Sequence, residues 1–313
     1  ISATKTFGII ALLVYTACST DPIMNEQKSP AVADIARKAN VVYVDSTFAS
    51  GFHYVPPYIS NGILGGCFDH MGFQSLPEYG TPNGRTVFGY IDHYYMSEQS
   101  TRQIQAPLAY IQAEFADGST ILNMMDADNY RQELDIYTGL LTTTYDLFGE
   151  TKITAIAHQT IPNLFLMKID RKAESPEKEL VLKIHCNTHG TQKSTKQWTP
   201  PPAQMQYAVE GKRADITTST NMVDTRWSVI ATSQVQREGD IIKIRLKEDE
   251  NLIQIIVHRD DVDDALAEKP YEELLTMHTD EWKKQWGKSW INFPTKRAHN
   301  IWARANYYNI SNF

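Results

Sequence analysis

Thr151-Lys152-Ile153-Thr154-Ala155-Ile156-Ala157-His158-Gln159, followed by Ile161-Pro162-Asn163 and then Phe165-Leu166-Met167-Lys168-Ile169, decides the fold of this chain. Ile153, Ala155 and Ala157 recur at every second position, and so do Phe165, Met167 and Ile169 beyond the Pro-Asn turn. Period two places one face of a strand in a core, whereas a helix would need a period near 3.6. Leu180, Leu182, Ile184 and Cys186 continue the pattern.

Upstream, Pro107–Phe115, an Asp117-Gly118 turn and Thr120–Met124 read as a hairpin. Downstream, Trp227–Gln236 reads as one strand. After a Glu238-Gly239-Asp240 turn come Ile242, Ile244 and Leu246, facing inward, and Leu252–Val257 follows the polar turn 248–251. From Val41 to His258, strands joined by hairpin turns predict antiparallel sheets packed face to face. The pattern lacks the alternation of strands and helices that a doubly wound fold requires.

Beyond the strands the period changes. Tyr271, Leu274, Leu275, His278, Trp282 and Trp286 form one helical face. A second helix is expected from Lys296, with Ile301, Trp302, Ala305, Tyr308 and Ile310 as its apolar residues. That aromatic face, running to Phe313, leads to the expectation that the chain is the front part of a larger protein.

At the other end, Lys5 precedes the apolar run Phe7–Val14, too short for a bilayer, which needs roughly 20 apolar residues. Thr16-Ala17-Cys18 resembles the lipobox of bacterial lipoproteins, with Tyr15 where that motif prefers Leu or Val. Residues 1–18 are therefore expected to be a signal peptide with Cys18 lipidated, and 19–38 a flexible tether. Domain boundaries are expected at 39–268 for the strands, 269–295 for a helical linker and 296–313 for the start of a further domain.

A net charge of −7 and a pI near 5.7 exclude a phosphate-facing basic stripe, so nucleic acid is not an expected partner. Low charge with 16 Tyr and 6 Trp suits neutral, hydroxyl-rich ligands. Of the cysteines left beside Cys18, Cys186 is expected as a buried free thiol, and the sequence does not say whether Cys67 reaches it. Gly62, Gly65 and Gly66 around Ile63 and Leu64 imply close backbone packing rather than phosphate binding.

The residue patterns carry little chemistry. His185 and His189 have metal-ligand spacing without helix geometry, so no metal is expected. Asp69-His70 and Asp92-His93 are adjacent in strand-like sequence and would point to opposite faces. Glu133 and Asp135 share a strand face, ordinarily a solvated one. No nucleophile elbow or phosphate loop occurs. No cofactor is expected.

Asn61-Gly62-Ile63-Leu64-Gly65-Gly66 resembles the NG-x-LG segment near the start of glycoside hydrolase family 65, the maltose and kojibiose phosphorylase-like enzymes. Tyr130-Arg131-Gln132-Glu133-Leu134-Asp135-Ile136-Tyr137-Thr138-Gly139-Leu140-Leu141-Thr142 resembles that family's LD-x-x-x-G-x-L strand pair. His278 with Trp282, Trp286 and Trp290 is similar to its interdomain linker helix. The three occur in the family's order over about Tyr58–Ile310.

The resemblance implies a galactose-mutarotase-like β-super-sandwich, a helical linker, and an (α/α)6 barrel that inverts the anomeric carbon with a Glu general acid. No residue of this chain matches that Glu, so the expectation places it beyond Phe313 and assigns no catalytic residue here. The expected partners are an oligosaccharide and the barrel, with membrane contact through the lipid anchor only, at a bacterial envelope. Loops Ser75–Arg85 and Lys193–Gln204 are candidates for a sugar-site rim. Two other readings stand beside this one. A free-standing sugar-binding lipoprotein would use Trp198 beside Pro200–Pro202. A mutarotase-like epimerase would use His158 or His185 with Glu114.

Overall fold

A computed structural model describes residues 29–44, 54–74, 91–96, 103–119, 127–186, 204–219, 224–260 and 263–312. Cys18 and the rest of segment 1–18, residues 19–28, Thr120–Met124, loop 75–85, His189, and Trp198 with Pro200–Pro202 lie outside the described residues.

Within them the chain is mainly antiparallel β, a sandwich followed by helices. The strands are β1 (Val41–Val44), β2 (Tyr58–Ser60), β3 (Leu64–Cys67), β4 (Ile91–Met96), β5 (Gln103–Phe115), β6 (Asp128–Asp135), β7 (Leu140–Asp146) and β8 (Glu150–Ala157). They continue as β9 (Leu164–Arg171), β10 (Leu180–His185), β11 (Gln204–Glu210), β12 (Arg213–Ser219), β13 (Asp224–Ala231), β14 (Val235–Glu238), β15 (Ile241–Arg245) and β16 (Glu250–Val257). The helices are α1 (Ser29–Arg37), α2 (Tyr271–Lys288) and α3 (Lys296–Asn312).

A nine-stranded sheet runs β1-β6-β7-β8-β9-β16-β13-β12-β11, facing a seven-stranded sheet ordered β14-β15-β10-β5-β4-β3-β2. Register follows the alternation in the sequence. Ile153, Ala155 and Ala157 lie opposite Ile169, Met167 and Phe165, and Ile253 and Ile255 lie opposite Met167 and Phe165 from the other side. A one-residue slip would turn all of these out of the core. In the facing sheet Leu182 and Ile184 lie between Ala113 and Ile111 on one side and Ile244 and Ile242 on the other. The two inner faces merge into one core, in which Phe68 stacks on Phe165 at 5.8 Å, 7° from parallel.

The nine-stranded sheet is also covered on its other face. Ile156, Leu164, Leu166 and Ile256 form a second cluster with Leu274 of α2. Strand β9 is thus buried on both sides, which explains its run of apolar residues (Leu164–Met167) where a one-sided strand would alternate.

Two expectations are corrected. The Trp227–Gln236 strand is two strands in different sheets: the chain leaves the nine-stranded sheet at Ala231 and joins the other at Val235. Ser233, donating to Asn251 Oδ1 at 3.0 Å, and Val235 N–H, donating to Gly211 O at 2.9 Å, hold that crossing. The tether expected over 19–38 contains helix α1, because Val32, Ala33 and Ala36 gather on one helical face and are buried. Helix α3 leaves Ile301, Ala305 and Tyr308 of its apolar face uncovered and packs through another face. His299, Ala303, Tyr307 and Ser311 are buried at four-residue spacing, while Ile301 is 63% and Tyr308 44% exposed.

Truncating Phe165 to Ala removes a ring shared by both sheets. The expected loss is about 3–5 kcal/mol of unfolding free energy, read from the denaturant midpoint.

Candidate functional site

Several of the residues singled out in the sequence converge on one seam, where α2 and α3 meet the sandwich. Its first wall is the turn between β2 and β3. Asn61 Oδ1 accepts from the backbone N–H of Ile63 at 3.0 Å and Leu64 at 2.8 Å, which fixes the turn. The Asn61 amide donates across to His158 O at 2.9 Å and Pro162 O at 3.1 Å. Gly65 is required by close packing, since a Cβ there would lie 2.6 Å from Tyr58 Oη. Gly65 is thus a packing residue, and Gly62 takes a left-handed φ of +86° in the turn.

The second wall is the β6–β7 turn. Gly139 has φ +67° and donates to Asp135 O at 2.8 Å. A Cβ at Gly139 would fall 2.3 Å from the indole Nε1 of Trp282. The glycine therefore meets two demands, left-handed backbone and an indole against its Cα. One turn further along α2, Trp286 Nε1 donates to Ile136 O at 2.7 Å. Trp290 lies past the end of α2 and is 41% exposed, outside this seam. From α3, Tyr307 stacks on Trp282 at 5.1 Å and donates to Tyr58 O at 2.9 Å.

At the centre lie His158 and His278, ring centroids 5.7 Å apart. His158 Nδ1 accepts from the N–H groups of Thr160 at 3.2 Å and Ile161 at 3.0 Å. Its proton is therefore on Nε2, which donates to Leu274 O at 2.9 Å. His278 Nδ1 accepts from Gln159 N–H at 3.1 Å. Burial pulls the pKa of His158 down to about 4, and burial with the neighbouring His158 pulls that of His278 down to about 3. Both rings are neutral structural groups.

The other candidate residues are also held in structural roles. Glu133 accepts from Asn40 and Arg131, and Asp135 pairs with Arg37, so both carboxylates tie β6 to α1 and the segment after it. Asp69 Oδ1 caps the N–H groups of Met71 and Phe73, while His70 meets the ring of Tyr54 edge-on. Asp92 and His93 occupy successive positions of β4. His185 stacks on Tyr110 at 4.3 Å and contacts Gln112, and Glu114 is ion-paired to Lys183. His185 lies opposite Tyr110, four strand positions from Glu114, a separation of about 13 Å. The acid–base pair imagined for an epimerase does not converge, and His158 is locked in the seam. Cys186 is buried as a free thiol and forms no disulfide with Cys67.

Two polar groupings went unread in the sequence because their members come from distant turns and strands. Ser228 Oγ donates to Asp215 Oδ1 and contacts His258 Nε2, each at 2.5 Å, and Arg213 donates to Ser228 Oγ at 3.0 Å and to Asp215 Oδ1 at 2.8 Å. A serine nucleophile needs its carboxylate on the histidine; here Asp215 takes the serine proton itself, so the cluster fastens β12 to β13 and β16. At one end of the sandwich, Arg171 donates to the carbonyls of Leu147, Phe148, Gly149 and Lys178. It borders a polar cleft of about 630 Å³ shared with Tyr145, Asp146, Glu150 and Lys152. Among the described residues, every carboxylate with a displaced pKa is displaced downward, the reverse of what a general acid needs. No metal-binding group of His, Cys, Asp and Glu occurs among them.

No protein-family model matches the sequence, and neither does any curated protein. Among solved structures, the chain is similar to one provisionally named kojibiose phosphorylase from the human microbiome. The TM-score is 0.60 at 10% identity, over 88% of this chain and 42% of that one. The likeness is one of fold, and this chain spans less than half the length of that neighbour.

Replacing Gly139 by Ala should cost on the order of 2–4 kcal/mol through the Trp282 overlap and the left-handed backbone. The Trp286→Phe variant, which leaves Ile136 O unpaired, should lose about 1–2 kcal/mol. Thermal unfolding followed by tryptophan emission checks both.

Proposed function

We propose that this chain is the sandwich and linker of an exported glycoside hydrolase or phosphorylase of family 65 type. The observation that carries the reading is convergence: the three segments that resemble the family build one seam, in a fold like that of the kojibiose phosphorylase-named protein. In this reading the sandwich buttresses an (α/α)6 barrel, and the barrel supplies the general acid, since the sandwich carboxylates whose pKa is displaced are displaced downward. Ile301, Ala305 and Tyr308 along the exposed face of α3 support a further helical layer against it.

The substrate in this proposal is an α-linked oligosaccharide, cleaved with inversion. Export through residues 1–18 and acylation of Cys18 would place the protein at a bacterial envelope, where free phosphate is unreliable. We therefore favour hydrolysis over phosphorolysis.

The experiment is to express the whole reading frame that contains this chain and incubate it with α-linked glucosyl disaccharides, with and without phosphate. The expected product is hexose of inverted anomeric configuration, seen by proton NMR, at a rate indifferent to phosphate. Retained configuration, or no cleavage of any such disaccharide, overturns the reading. In cells fed labelled palmitate, label should enter the protein and vanish in the Cys18→Ser variant; an unlabelled native protein removes the anchor.

A further inference from the structure

The hydrogen bonds around His158 and His278 require two neutral rings. Nδ1 of His158 faces two backbone N–H groups, from Thr160 and Ile161, and Nδ1 of His278 faces a third, from Gln159. A proton on either nitrogen would set donor against donor and break these bonds. Nε2 of His278, which carries that ring's proton, is buried beside the backbone of Thr138 and Gly139.

The surroundings supply no counter-charge. The β2–β3 turn presents Asn61, the β8–β9 turn presents Gln159 and Thr160, and the β6–β7 turn presents Thr138. Helix α2 presents Leu274 O and Trp282, and α3 contributes Ile310 O, bound to Gln159, and Tyr307, stacked on Trp282. Among the described residues, no carboxylate figures in the electrostatics of either ring; the charge-bearing neighbour of His278 is His158.

The two rings also stand on opposite sides of the seam. His158 follows β8 of the sandwich, and His278 is the middle of α2. Separating α2 from the sheet would release both to water, where each takes up a proton readily. We propose that this pair is an acid-released latch: protonation frees α2, and α3 with it, from a sandwich whose two sheets stay folded.

The direction follows from linkage. Both rings bind protons less readily docked than free, so docking is at full strength above about pH 6.5 and weakens as pH falls towards about 4. Between those values the docking constant should drop roughly tenfold per pH unit for each ring that titrates.

The test follows the whole chain through an acid titration, with tryptophan emission reporting Trp282 and Trp286 and far-ultraviolet circular dichroism reporting the strands. The expected result is a red shift of emission that precedes loss of the strand signal. The double variant His158→Gln, His278→Gln, which keeps neutral hydrogen-bonding groups, should flatten that first step. A single transition in which helices and strands melt together overturns the proposal, and so does an unchanged first step in the double variant. Should that variant fail to fold, ring nitrogen NMR of the native chain decides. Two neutral rings with Nε2–H, persisting well below pH 6.5, are expected; titration near 6.5 with α2 still docked overturns it.

Discussion

An indole laid against a bare Cα is the contact on which the arrangement of helices and sheets depends. Trp282 reaches the β6–β7 turn because Gly139 has no side chain, and that turn has its shape because Gly139 can take φ +67°. With the indole seated, Tyr307 has a surface on which to stack, and Trp286 comes within reach of Ile136 O. His278, one turn before Trp282 on the same helical face, is carried to His158. The aromatic residues bring most of the buried area, but the backbone carbonyls they find set the register of α2 along the sheet.

A sheet covered on both faces must satisfy two partners at once. Strand β9 does so by being apolar at successive positions, with Phe165 and Met167 toward the other sheet and Leu164 and Leu166 toward α2. The polar residues trapped beneath the helices are consequently not spare chemistry. Asn61, His158 and Gln159 are there because irregular backbone between strands leaves N–H and C=O groups that only side chains can reach. Residues that read as candidate acids and bases in a linear sequence resolve into this accounting of buried hydrogen bonds.

Much of the sandwich was legible because period two is a local signal: a strand shows its buried face without reference to its neighbours. The crossing at Thr232–Gln234 was not, since alternation continues through it and only the partner strands differ. The inward face of α3 is not legible for a different reason. Hydropathy favours Ile301 and Tyr308, yet the helix turns inward His299 and Tyr307, whose polar tips find Ile35 O and Tyr58 O. Helix α1 was hidden because its buried side is mostly alanine, indistinguishable by composition from a tether. The family-like segments were visible as words, but their common purpose exists only in three dimensions, where Gly139 and Trp282 touch across more than a hundred residues.

Helix α1 meets α3 directly: His299 binds Ile35 O at 2.7 Å, and Arg304 donates to Ala39 O at 3.0 Å. The two ends of the described chain are therefore clasped on one flank of the molecule. The sandwich between them becomes a closed loop, with its entry and exit side by side. A pull applied before Ser29 reaches α3 through these bonds, and the nine-stranded sheet through Arg37 and Asn40, which hold Asp135 and Glu133. Whatever holds the chain by its front would hold the helical flank, and the β1 edge of the nine-stranded sheet, with it.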